Sequence, residues 1–220
     1  MSRTNKQERI TEFWGSIGPY YNQDPENVVA PDTTEYAAWV EAVSALLPSE
    51  PSDVLDVGTG TGFLAFIVAS LGHRVTGIDL AEGMLAVARE EADHRGLHPR
   101  FLTGDAVAPD FPDGSFDVVT NRHLLWTLLE PETAFGNWRR LLRPGGYVLA
   151  FDGVWPGLPS SAEDREGYFE RFYSVEVRAA IPAMHINTMD PLIEMFRGAG
   201  FARASARPMM SKFAIIAQTG

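Results

Sequence analysis

The sequence predicts an α/β protein: a doubly wound, mostly parallel sheet of seven strands that ends in an antiparallel hairpin. Three observations carry this. From residue 51 onward, short apolar runs of strand length alternate with longer stretches of helical spacing, as in repeated βα units. The first run, Val54-Leu55-Asp56-Val57, passes straight into Gly58-Thr59-Gly60-Thr61-Gly62, a sharp strand-to-helix turn. The last two runs, 201–206 and 212–217, are separated by a turn at Pro208-Met209 and read as adjacent antiparallel strands.

Taken in order, residues 1–30 place Ile10, Phe13, Trp14, Ile17, Tyr20 and Tyr21 at roughly helical spacing, with a break expected at Gly18-Pro19. A helix over 34–47 carries Tyr36, Trp39, Val40, Val43, Leu46 and Leu47 on one face and stops at Pro48. The first strand, 53–57, leads to a helix over 61–71 that Gly72 ends. Residues 74–79 form the second strand, closed by Asp79, and 81–95 the next helix. A third strand at 100–103 runs into Gly104-Asp105-Ala106, and Phe111-Pro112-Asp113-Gly114 turns into a fourth. After that strand the chain reads Asn121-Arg122-His123-Leu124-Leu125-Trp126. A helix over 131–142, the turn Arg143-Pro144-Gly145-Gly146 and an apolar strand at 147–151 follow. Residues 153–189 leave the alternation: Pro156, Pro159 and Ser160-Ser161 make a loop, and 163–178 read as a helix rich in aromatics (Tyr168, Phe169, Phe172, Tyr173). A helix over 190–198 leads to the closing pair.

At 220 residues the chain suits one domain with a sizeable core, and neither repeats nor low complexity interrupt it. Eighteen basic against 29 acidic residues leave a net charge of −11. Such a chain lacks the footprint that binding a phosphate backbone needs, so no nucleic-acid partner is expected. Arg139, Arg140 and Arg143 are the only tight basic cluster, and they sit where cations favour a helix C-terminus. With no cysteine there is no disulfide, thiolate metal site or Cys nucleophile, and no metal site is expected. Residues 1–9 are polar and the apolar run at 63–71 is too short to span a bilayer, so the expectation is a cytoplasmic protein without a membrane partner.

The glycine turn is the centre of the chemistry. Three glycines in five residues allow positive φ and a close approach of ligand to backbone, and the amides of the following helix point at that ligand. A dinucleotide fingerprint would place its third glycine at 63, where this chain has Phe63. Asp79 ends the next strand, one βα unit later. An ionised carboxylate there can accept from both hydroxyls of a ribose, or it can cap the helix that follows.

Asp56 with Gly58-x-Gly60-x-Gly62, then Gly77-Ile78-Asp79-Leu80, Gly104-Asp105-Ala106, Phe116-Asp117-Val118-Val119 and Leu142-Arg143-Pro144-Gly145-Gly146, occur in one order. Together they resemble the motifs of the class I S-adenosylmethionine (SAM)-dependent methyltransferases of the small-molecule type, over residues 53–217. The resemblance implies a Rossmann-like fold, SAM as cofactor and S-adenosylhomocysteine as product. It implies that Asp56, Gly58, Thr59, Gly60 and Gly62 hold the cofactor, with Asp79 on the ribose and Leu80 along the adenine. Asp105 would accept from the adenine amino group and the Ala106 amide would face a ring nitrogen. Asn121 and Arg122 would complete the cofactor site, and Asp117 would be structural. It implies a division into residues 1–50, a helical lid and first helix, and 51–220, the cofactor domain, with a cap at about 153–189. Trp14, Tyr20 and Tyr21 would be the lid aromatics, unless this amphipathic helix only packs on the domain, with Trp126 and His185 further candidates on the acceptor side. Amino-methylating nucleic-acid enzymes carry Asn/Asp-Pro-Pro-aromatic after strand four, which Asn121-Arg122-His123-Leu124 lacks.

Methyl transfer needs a positioned nucleophile more than covalent help, and a base only if the acceptor must lose a proton. His123, after strand four, is the candidate base, with an imidazole suited to proton exchange near neutrality; the same residue can instead order its loop. The expected function is methyl transfer from SAM to a small-molecule O, N, S or C nucleophile. The alternative is a SAM-binding enzyme or subunit that transfers no methyl group.

Overall fold

A computed structural model of the chain describes residues 1–23, 27, 30–153, 168–209 and 212–220. The predicted loop around Pro156, Pro159 and Ser160-Ser161, and positions 163–167 of the predicted helix, lie outside the described residues. Seven strands, β1 (Asp53–Val57), β2 (Arg74–Asp79), β3 (Arg100–Thr103), β4 (Phe116–Arg122), β5 (Leu142–Asp152), β6 (Arg203–Met209) and β7 (Lys212–Gln218), form one sheet in the order β3-β2-β1-β4-β5-β7-β6. β1 to β5 run parallel, and β7 is antiparallel to both β5 and β6. The order reverses between β1 and β4, which places the ligand crevice beyond their carboxyl ends.

The helices α2 (Thr34–Ser44), α3 (Phe63–Ser70), α4 (Glu82–Arg95), α5 (Pro131–Leu141) and α8 (Asp190–Gly198) cover the sheet. Leu64 to Val68 are all buried, because α3 is held between the sheet and α2 and has no wet face. On the other face Phe135 and Trp138 of α5 pack with Phe196 of α8, the rings of Phe135 and Phe196 stacking at 3.8 Å. At the amino ends of β1 and β4, away from the crevice, Arg143 bridges Asp53 (2.9 Å) and Asp117 (2.8 Å), and Arg74 also holds Asp53 (2.7 Å). Asp117 also accepts the Asp53 amide at 2.8 Å.

Three expectations change, besides the start of β5, which lies at Leu142 and not at Tyr147. The N-terminal helix α1 (Arg3–Tyr21) continues through Gly18-Pro19 instead of breaking there. Pro19 has no N–H to give to the Gly15 carbonyl, and that carbonyl is the one α4 meets: a Cβ on Gly83 would lie 2.1 Å from it. A Cβ on Gly18 would lie 2.5 Å from the Gly83 carbonyl. The helix survives its proline because two backbones can touch at glycine. The turn expected at Pro208-Met209 is strand, since β6 is an edge strand where a residue without an N–H is tolerated. The aromatic segment is two short helices, α6 (Tyr168–Phe172) and α7 (Val175–Arg178), not one.

Gly83→Ala tests the α1–α4 contact. Alanine would gain up to about 1 kcal/mol in an unconstrained helix, whereas overlap with Gly15 is expected to cost about 1–3 kcal/mol. Urea unfolding gives the sign, and trypsin cleavage after Arg3, Lys6 or Arg9 should accelerate as α1 loosens.

Candidate active site

The site begins at the end of β1. Gly58 and Gly60 take φ of 63° and 56°. A Cβ on Gly58 would meet Leu124 Cδ1 at 2.6 Å, while one on Gly60 would enter open space. The turn is pinned from β2: the Thr59 amide donates to the Ile78 carbonyl (3.0 Å), and the Gly60 amide to Asp79 Oδ2 (2.9 Å). Asp79 Oδ1 accepts the Ala81 amide (2.8 Å). Asp79 does not cap the following helix, because α4 starts at Glu82 with Ala81 at its N-cap and no side-chain cap bond; each of its carboxylate oxygens keeps a further lone pair for a ligand. Burial pushes its carboxyl above the usual range, against the pull of the Ala81, Gly60 and Leu80 amides.

Asp56 lies beneath the turn, almost wholly buried. Thr59 and Thr120 donate to its two oxygens, each at 2.7 Å. Burial nonetheless raises its pKa to about 6, with a smaller contribution from Asp79. The folded chain therefore holds a proton that the unfolded chain has released between about pH 4 and 6, and stability falls as pH rises through that window. Above it the ionised carboxylate costs about 3 kcal/mol. Asp56→Asn is thus expected to stabilise the ligand-free protein at neutral pH by about 1–3 kcal/mol, with the gain vanishing near pH 4; urea midpoints across that range check it.

The turn opens into a cavity. Its wall continues with Leu80, Ala81 and Met84 after β2, Gly104 to Val107 after β3, and Arg122, His123 and Leu124 after β4. Thr127 and Leu128 close one side, and Gln7, Ile10, Thr11, Trp14 and Tyr21 of α1 another. Asp105 accepts the Val107 amide (2.8 Å), and the Ala106 carbonyl takes the Trp138 indole N–H (2.7 Å), which fixes the shape of that loop. His123 is the one non-glycine residue with positive φ (55°) among the described residues. Its amide donates to the Phe151 carbonyl (3.0 Å), and the Leu125 amide donates to Asp152 Oδ2 (2.8 Å).

Of the residues singled out in the sequence, Asp56, Gly58, Thr59, Gly60, Asp79, Leu80, Asp105, Ala106, Arg122, His123, Trp14 and Tyr21 line this one cavity. Five do not. Asn121 is fully buried and outside the lining, because consecutive strand residues face opposite sides of the sheet. Gly62 is packed on the Phe66 ring as the cap of α3. Tyr20 is 66% exposed on the outer side of α1. Trp126 stacks on Tyr173 at 5.6 Å, and His185 is exposed with Nε2 3.1 Å from the Arg178 carbonyl. Sequence reasoning missed Asp152, which holds the loop behind His123. Its signal was available, as a third acid ending an apolar strand, after Asp56 and Asp79.

Behind this wall the Trp14 indole donates to Tyr173 Oη (2.9 Å), which lies 2.5 Å from Thr127 Oγ1. Burial pushes the Tyr173 phenol far above its usual range. Phe13 packs on Phe169, Phe172 and Tyr173, so α1 and α6 share a small core.

Acids at the ends of β1 and β2 and after β3 stand around a glycine turn at the switch point of this sheet, the arrangement that the resemblance to class I SAM-dependent methyltransferases implies. Residues 55–150 match the family model described as a methyltransferase domain. The chain is 38% identical over 143 residues to a demethylmenaquinone methyltransferase of Thermus thermophilus, covering 64% of this chain and 61% of that one. It is 36% identical over 154 residues to a ubiquinone/menaquinone biosynthesis C-methyltransferase of Methylobacterium nodulans, covering 67% and 60%. It thus spans about three fifths of the length of these relatives. The fold is that of a SAM-dependent methyltransferase from Aquifex aeolicus, with 20% identity, 90% and 99% coverage and a TM-score of 0.66. Residues 55–150 thus carry a methyltransferase domain in a chain with the class I SAM-dependent methyltransferase fold, and SAM is the cofactor with S-adenosylhomocysteine as the product.

The residues present fit that cofactor. Gly60 leaves room against the backbone, Asp79 and Asp105 line the cavity as carboxylate acceptors, and Leu80, Met84 and Val107 add an apolar wall suited to a purine. No helix of the described residues is long and apolar enough to cross a membrane.

Proposed function

We propose that this methyltransferase acts on a carbon of an electron-rich aromatic ring, a hydroquinone-type small molecule. The observation carrying this is the composition of one cavity. Its cofactor side is acidic (Asp56, Asp79, Asp105), and its other side is apolar and aromatic (Ile10, Trp14, Tyr21, Leu124, Leu128), with His123 also in the wall. The names of the two relatives support the same acceptor class. The net charge of −11 favours a small molecule over nucleic acid, and the cytoplasm is the proposed compartment.

SAM supplies an electrophilic methyl group, and the chain supplies position and proton handling. Asp79 takes the ribose hydroxyls, Leu80 and the Ala106 amide the adenine, and Asp105 its amino group. α1 serves as a lid, with Trp14 and Tyr21 facing the reactants, and 168–185 belongs to a cap behind it. His123 accepts the phenolic proton of the acceptor, which raises the electron density of the ring carbon. The ring carbon then takes the methyl group as its S–CH₃ bond breaks and S-adenosylhomocysteine leaves; the ring's C–H proton passes to water while His123 returns its proton to the ring oxygen, so one proton is released in all.

The test is incubation with methyl-labelled SAM and a short-chain demethylated naphthoquinone, reduced or oxidised, beside a panel of simple phenols, amines, thiols and acids. Label on a ring carbon of the reduced quinone only is expected. Label on a heteroatom, or none with any acceptor, overturns the proposal.

A further inference from the structure

We infer that the Thr127 hydroxyl donates its proton to an oxygen of the methyl acceptor, with Tyr173 as the positioning residue that turns it toward the cavity. This rests on the aromatic-acceptor reading above and adds a demand to it: the ring carries a second oxygen, besides the one whose proton His123 takes.

Three polar groups meet at the Tyr173 hydroxyl. The Trp14 indole N–H can only donate, and it does so to Tyr173 Oη at 2.9 Å. Tyr173 Oη and Thr127 Oγ1, 2.5 Å apart, share a single hydrogen bond although each oxygen carries a proton. Neither hydroxyl has a further partner among the described residues. One of the two protons is therefore left over, and burial decides which. Tyr173 is fully buried, so if it accepted from Thr127 as well, its own proton would stay unbonded in a dry pocket, the costly arrangement. If Tyr173 donates to Thr127 instead, every group behind the wall is satisfied, and the spare proton belongs to Thr127, which lines the cavity. Burial also keeps the phenol protonated, so that it always has a proton to give.

The position suits the acceptor and not the cofactor. Thr127 and Trp14 share one hydroxyl, so they are neighbours in the wall, on the side that Ile10, Leu124 and Leu128 make apolar. Thr59 and Thr61 of the glycine turn also line the cavity, but their protons go to Asp56 and Asn22. A neutral donor in an apolar wall favours a phenol or carbonyl oxygen and disfavours a bare ring edge, which would leave it unpaired. The chain of bonds from Trp14 through Tyr173 to Thr127 polarises that last proton further.

The experiment is calorimetric titration of the full chain, loaded with S-adenosylhomocysteine, with naphthohydroquinone kept reduced and with α-naphthol, which lacks the second ring oxygen. The wild type is expected to bind naphthohydroquinone about 5- to 10-fold more tightly, the effect of one neutral hydrogen bond. Thr127→Val should bring the two affinities within about twofold of each other, and Thr127→Ser should keep the preference. Equal affinities in the wild type, or a preference that survives Thr127→Val, overturns the inference. If Thr127→Val fails to fold, Tyr173→Phe decides: with the Thr127 proton no longer directed or polarised, the preference should fall at least about twofold. A merely structural role for Tyr173 would weaken both ligands alike and leave the preference intact, which also overturns the inference. A wild-type chain that binds neither compound would instead defeat the aromatic-acceptor reading itself.

Discussion

Asp79→Ala is expected to lower SAM affinity at least about 100-fold while the protein stays folded. Two hydrogen bonds from ribose hydroxyls to a carboxylate are each worth about 1.5–3 kcal/mol, and their joint loss exceeds the factor of 100. The same carboxylate also ties the glycine turn to β2 through the Gly60 and Ala81 amides, so the substitution loosens the cradle as well. Folding stability should change far less, because the lost tethers are offset by removal of a charge that burial disfavours. Calorimetry with SAM and a urea midpoint separate the two effects. A SAM affinity within about threefold of wild type would show that the ribose is held elsewhere.

His123→Gly is the second large effect, and its value lies in a dissociation of stability from turnover. The native φ of 55° is costly for histidine and free for glycine. The variant should be as stable as the wild type or up to about 1 kcal/mol more so. With the imidazole gone, kcat should fall about 10²- to 10⁴-fold, the usual worth of a positioned proton acceptor, with SAM affinity unchanged. His123→Ala keeps the strain and should be less stable than the glycine variant at equal activity. Full turnover in either variant would leave His123 only the task of ordering its loop.

The parallel strands were legible because buried strands read as largely apolar runs, and because an acid at the end of β1 or β2 marks where the strand reaches the crevice. β1 over 53–57, β2 over 74–79 and β3 over 100–103 were legible to the residue. The ends of β5 were less so: the structure begins it at Leu142, paired with Phe116, before a shift of register, where the sequence suggested a turn before Tyr147. Which neighbour faces the cavity was the hardest question. Asn121 against Arg122, and Tyr20 against Tyr21, differ by one position, and only the side of the sheet or helix on which the cavity opens decides between them. The Gly15–Gly83 contact was out of reach for another reason: it joins residues 68 positions apart through backbone alone, and leaves no side-chain pattern to read.

The Tyr173 hydroxyl has a mechanical consequence. It joins Trp14 of α1, Thr127 behind the crevice and α6 in a dry pocket. Lifting α1 alone would break the indole–phenol bond, leaving Tyr173 only its Thr127 partner, and uncover the apolar core that Phe13 shares with Phe169 and Phe172. A smaller displacement takes the two helices together, as one flap hinged against the body of the sheet. The seam that then parts is the glycine contact between α1 and α4, where no side chains interlock.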